Sequence, residues 1–94
     1  MQLRVVALDD ETHALERFEE VVKDFEEITL CGLFHDDEEL LAFIEKNPMD
    51  IVFLDIEMPG KSGMQLSEEI HGMHPETAVV FVTAYNQYAV EAFE

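Results

Sequence analysis

Four short apolar runs constrain the fold more than any other feature of this chain: Leu3 to Leu8, Ile28 to Phe34, Ile51 to Leu54 and Ala78 to Val82. Each has the length of a strand, and each is followed by a segment of helical periodicity. After the first run, Ala14, Leu15, Phe18, Val21, Val22 and Phe25 recur at helical spacing among glutamates. After the second, Asp36 or Asp37 can cap a helix whose inner face carries Leu40, Leu41 and Ile44, with Asn47 and Pro48 ending it. After the third, Leu66, Ile70 and Met73 mark a helix closed around Gly72 and Pro75. After the fourth, Asn86 can cap a helix containing Ala89, Val90 and Phe93. Strand and helix thus alternate four times, which predicts a parallel α/β sheet with helices on its faces. The near-continuous apolar strands fit burial on both sides, and right-handed crossovers leave few topologies.

Ninety-four residues make one domain, 1–94, and 48% hydrophobic content places it in the globular class. No apolar run approaches a membrane span and the N-terminus lacks a signal-peptide pattern, so a cytoplasmic location is expected. The single cysteine, Cys31, has no internal disulfide partner and reads as a small core residue. Twenty-two acidic residues against five basic give a net charge of −17. Such a surface repels phosphate backbones and anionic lipid, which argues against direct nucleic-acid or membrane binding and favours cations or a basic partner.

In a parallel sheet all C-terminal strand ends share one edge, where open α/β sheets bind their ligands. The first strand ends in Asp9 and Asp10, the third in Asp55, and the fourth in Thr83 followed by Ala84. If the first and third strands are neighbours, the three carboxylates share a crevice and each raises the pKa of the others. A divalent cation removes that conflict, and an all-oxygen site with room for water suits Mg²⁺. A carboxylate beside Mg²⁺ with a hydroxyl nearby suggests phosphoryl transfer to the carboxylate itself. Thr83 would then bind a phosphoryl oxygen, and the small Ala84 would leave room for the group to enter. His71 and His74, three apart, read as solvated histidines at a helix C-terminus, and His13 and His35 have no visible ligand set.

The segments "VVALDDE", "IVFLDIEMPGKSG" and "VVFVTAY" resemble the three signature segments of bacterial two-component response-regulator receiver domains. The tail "TAYNQYAVEAFE" is similar to receivers that precede LytTR-type DNA-binding domains. The resemblance covers essentially the whole chain and implies a flavodoxin-like (CheY-like) doubly wound parallel sheet. It implies that Asp55 is the phosphoacceptor from a sensor histidine kinase. It implies Mg²⁺ held by Asp10 and Asp55, by Asp9 through water, and by the backbone carbonyl of Glu57. Thr83 would be the switch hydroxyl, and Tyr85 and Tyr88 would lie on the output surface. Such a module catalyses at most its own phosphorylation and dephosphorylation, and it switches an output domain, transcriptional by the LytTR likeness, that is not in this chain.

A receiver of this family has five strand–helix units and this sequence carries four, so the chain reads as cut short of the fifth strand and helix. The family's phosphate-pairing lysine lies in that fifth unit, and Lys23, Lys46 and Lys61 do not replace it. The fourth strand, "AVVFV", is then expected to be an edge that pairs with another chain, giving a homodimer or an exchanged oligomer through strand four or helix four. Two functions stay open at this point: a phosphoacceptor module, or a receiver-like interaction scaffold that is not phosphorylated.

Overall fold

The computed structural model describes residues 2–55 and 63–82. The described elements run β1 (Leu3–Leu8), α1 (Thr12–Val22), β2 (Ile28–Phe34), α2 (Asp37–Lys46), β3 (Ile51–Asp55), α3 (Gly63–Met73) and β4 (Ala78–Val82). The strands form one parallel sheet in the order β2-β1-β3-β4. The chain steps outward from β1 to β2, then crosses back past β1 to β3, so the winding reverses at β1. The α/β alternation is therefore as expected, and β1 and β3 are neighbours. The helix expected from Asn86 lies outside the described residues.

Alternation along the strands sorts their side chains between two helical layers. Val6 and Leu8 of β1 and Val52 and Leu54 of β3 are buried in one cluster with Leu40 and Ile44 of α2 and Leu66 and Ile70 of α3. Val79 and Phe81 of β4 pack against the same cluster. On the opposite face Val5 and Ala7 are buried, and so are Leu15 and Val22 of α1. There Phe18 of α1 meets Phe53 of β3 with ring centroids 4.8 Å apart, tilted by 59°. β1 is buried on both faces because it lies between two neighbours and two helical layers, which is why its sequence has almost no polar alternation.

Local chemistry sets the element ends. Asp36 is extended, and its carboxylate accepts the Glu39 N–H at 3.2 Å, so Asp36 rather than Asp37 caps α2. Asp37, Glu38 and Glu39 occupy the first turn and Lys46 the last, each favoured by the helix dipole. α1 stops at Val22, and Phe25 lies in the turn beyond it, its N–H bonded to the Val22 carbonyl. Two positions expected on the inner face of α1 are instead exposed, Val21 by 59% and Phe25 by 50%. The buried stripe is narrower than the spacing suggests because the helix ends a turn early and Val21 lies at its margin.

The pairing of β2 with β1 is irregular beside Gly32. Val5 pairs with Leu30 but Val6 pairs with Gly32, so the register slips by one residue and Cys31 is the extra residue of a bulge. A Cβ on Gly32 would lie 2.9 Å from the Phe34 ring, which folds back across the glycine and also packs against Phe43. Cys31 is half-buried against the core cluster, in keeping with a small packing residue.

Candidate functional site

Asp9 follows the last residue of β1, and its N–H donates to the Phe34 carbonyl of β2 at 3.0 Å. Asp55 is the last residue of β3 and still pairs with Val82 of β4, so the strand extends one residue beyond the apolar run. Because Leu8 pairs with Leu54 across β1 and β3, the residues that follow each are brought side by side at the same edge. One carboxylate oxygen from each of Asp9, Asp10 and Asp55 lies within 4.8 Å of the others. Asp9 and Asp55 are half-buried and Asp10 is exposed.

The electrostatics of this cluster are unfavourable without a cation. Burial pushes the Asp9 carboxyl up to about 6 from an ordinary 3.8. The Glu11 N–H, donated to Asp9 Oδ1 at 2.9 Å, opposes the shift, while the charges of Asp55 and Asp10 add to it. A proton on Asp9 relieves the repulsion from Asp10 and Asp55. A divalent cation would take the place of that proton. The donor set fits Mg²⁺: hard oxygens only, close enough to converge, and one exposed face that leaves positions for water.

The start of α1 completes the edge. The helix N-cap is Glu11, whose side chain makes no capping bond. A cavity of about 450 Å³ opens beside the carboxylates, between α1 and strands β3 and β4. Arg17, Phe18 and Phe53 help to line it. The strand-end motifs do not include Arg17; the sequence signal for it is its position on the helix that follows Asp9 and Asp10.

Other polar residues are placed differently. His74 is not a solvated histidine: it is half-buried, with Nε2 2.7 Å from the Ile44 carbonyl at the far end of α2. His71 is exposed and does not share that contact. His13 pairs with Glu16 at 3.2 Å on the exposed side of α1, and His35 is hydrogen-bonded to the Thr12 hydroxyl at 3.2 Å. Glu57, Thr83, Ala84, Tyr85 and Tyr88 lie outside the described residues. Among the described residues no helix is long and apolar enough to cross a membrane.

A doubly wound parallel sheet that gathers three carboxylates at the ends of adjacent strands, next to the reversal in winding, defines an α/β module with an acidic pocket at the strand-end edge. Residues 5–94 match the response regulator receiver domain, and the chain belongs to that family. It is 33% identical over 92 residues to the transcriptional regulatory protein YpdB of Escherichia coli K12, covering 98% of this chain and 38% of that protein. It is 36% identical over 92 residues to the sensory transduction protein LytT of Bacillus anthracis, covering 98% of this chain and 37% of that protein. The crystal structure of the response regulatory domain of MrkE from Klebsiella pneumoniae superposes with a TM-score of 0.80 at 31% identity, over 97% of this chain and 75% of that chain. The chain thus spans less than two fifths of these curated relatives and corresponds to their receiver domain. It is the receiver domain of a two-component response regulator. Receiver domains are signalling modules that interact with sensor kinases and output domains and generally use Mg²⁺ at an acidic pocket.

Proposed function

We propose that the chain accepts a phosphoryl group on Asp55 from a sensor histidine kinase, with Mg²⁺ held by Asp10 and Asp55 directly and by Asp9 through water. The observation that carries this is the convergence of three carboxylates within 4.8 Å at the ends of β1 and β3. When bound, Mg²⁺ would supply the positive charge that offsets the carboxylates and the phosphoryl oxygens. The residues do the rest. Asp55, held by β3, directs one carboxylate oxygen at phosphorus; the oxygen–phosphorus bond forms as the bond from phosphorus to the donor breaks, and that electron pair leaves with the donor. Asp9 and Asp10 would hold the metal beside that oxygen.

In the same reading the Glu57 carbonyl completes the metal ligands, Thr83 binds a phosphoryl oxygen, and Ala84 leaves it room. Tyr85 and Tyr88 belong to the output surface. The whole protein, of which the chain is the receiver domain 1–94, regulates transcription in the cytoplasm through a LytTR-type output domain; the names of YpdB and LytT support this. Pairing of two receivers through β4 draws support from its position at one end of the described sheet and from the 41% exposure of Val82. Light scattering that gives a monomer at millimolar concentration refutes that pairing.

The central test is intact mass after incubation with phosphoramidate and Mg²⁺. One phosphoryl group is expected on the parent and none on Asp55→Ala. An equal gain in the variant, or no gain in the parent, refutes the phosphoacceptor reading.

A further inference from the structure

We infer that Arg17 is the side chain that binds the phosphate of the incoming phosphodonor. The proposal rests on the phosphoacceptor reading of Asp55 and assigns a residue that the three strand-end motifs do not contain.

The position of every described lysine and arginine leads to it. Helices in a parallel α/β layer run back against the strands, so their C-terminal ends lie at the edge opposite the carboxylates. Lys23 is the C-cap of α1 and Lys46 is in the last turn of α2, which puts both at that opposite edge. Arg4 is near the start of β1, its backbone bonded to Asp50 before β3. Arg17 alone among the described lysines and arginines lines the cavity that also contains Asp9, Asp10 and Asp55.

Helix geometry lets its side chain reach toward the site. α1 begins at Thr12, beside the carboxylates, and Arg17 is five residues on, about 7.5 Å along the axis. Side chains on a helix lean toward its N-terminus, so the guanidinium is within reach of the carboxylate end of the cavity. It makes no ion pair among the described residues; the pair on α1 joins His13 and Glu16 instead. In a chain of net charge −17, an arginine without such a partner keeps its donors available for an anion. A guanidinium suits the task because its planar fork matches phosphate oxygens.

The field explains why such a residue matters. A dianionic donor approaching a surface of this charge is repelled, and a single cation on the approach lowers that barrier most at low salt. Arg17 therefore acts in the encounter with the donor, before transfer, and its removal weakens donor binding more than it slows the bound complex.

The experiment measures Asp55 phosphorylation by phosphoramidate at saturating Mg²⁺ for the parent, Arg17→Gln, Arg17→Lys and Arg4→Gln. Arg17→Gln is expected to raise the half-saturating donor concentration about five- to tenfold, with the limiting rate within about twofold and a flatter dependence on ionic strength. Arg17→Lys should recover part of the loss, and Arg4→Gln should match the parent. In parallel, methylphosphonate, a dianion that cannot transfer its group, is titrated by NMR in the presence of Mg²⁺. Shifts at the start of α1 and at Asp55 should appear in the parent and weaken in Arg17→Gln, while Mg²⁺ affinity stays the same. An unchanged half-saturation and unchanged methylphosphonate binding in Arg17→Gln overturn the proposal. Arg17-dependent methylphosphonate binding without any transfer in the parent refutes the phosphoacceptor reading alone.

Discussion

Lowering the pH should release Mg²⁺ from this receiver well above the ordinary carboxylate range, and Asp9 sets where. Its carboxyl titrates at about 6 because it is half-buried between strand ends and faces Asp10 and Asp55. Metal binding needs the ionised form, so affinity follows the ionised fraction. With a value of about 6, that fraction is about 0.97 at pH 7.5 and about 0.09 at pH 5. Affinity should therefore fall about tenfold over this interval, equivalent to about 1.4 kcal/mol. The sign for stability is opposite in the metal-free protein. The folded value lies above the unfolded 3.8, so the native state holds the extra proton between them, and stability falls as pH rises from about 4 to about 6. Calorimetric Mg²⁺ titrations at pH 5, 6 and 7.5, run on the parent and on Asp9→Asn, check both. A change of less than twofold in the parent, or the same tenfold change in Asp9→Asn, refutes the reasoning.

Two further predictions concern the scaffold. Leu54, fully buried on β3 next to Asp55, should cost about 2–5 kcal/mol when replaced by alanine; urea unfolding with an unchanged slope is the measurement. Thr77 is buried, and its hydroxyl donates to the Met49 carbonyl at 2.7 Å. Thr77→Val should cost about 1–2 kcal/mol by leaving that carbonyl without its donor, while phosphorylation of the folded protein stays at the parental rate.

Much of the fold is readable because period-2 and period-3.6 patterns alternate cleanly, and the strand-end carboxylates are readable because a parallel sheet sends every C-terminal end to one edge. What escapes is set by packing between distant segments. Val21 and Phe25 carry the right spacing, but Phe25 lies beyond the end of α1 and Val21 lines the open cavity, so both are exposed. The bulge at Cys31 depends on how β2 pairs with β1, and Gly32 marks the place without giving the register. His74 looks like a surface residue in the sequence because its partner, the Ile44 carbonyl, is thirty residues away. Arg17 is hidden by its neighbours in sequence, all of which belong to an acidic amphipathic helix. Only the shared cavity ties it to Asp55.

The two edges of the sheet carry opposite duties. At the edge where strands begin, polar groups are mutually satisfied: Asp50 accepts the Arg4 N–H through its side chain at 2.7 Å and the Ala78 N–H through its carbonyl at 2.9 Å, and it donates its own N–H to the Arg4 carbonyl. That aspartate joins β1, β3 and β4. At the edge where strands end, Asp9, Asp10 and Asp55 repel one another. Removing a carboxylate should therefore act in opposite directions at the two edges. Asp50→Ala should destabilise by about 1–2 kcal/mol and leave Mg²⁺ affinity of the folded protein unchanged. Asp9→Asn should stabilise the metal-free protein at pH 7: the shift to about 6 converts to about 3 kcal/mol at most, discounted to about 1 kcal/mol because the carboxyl is partly in water. That is a rise of about 5 °C in melting temperature for a chain this size. In saturating Mg²⁺ the order should invert, since the parent gains binding energy that the asparagine variant loses. Thermal melts of both variants, with and without 20 mM Mg²⁺, decide the matter. A metal-free Asp9→Asn protein that melts below the parent at pH 7 would mean that the carboxylates at this edge are not held together at a cost to folding.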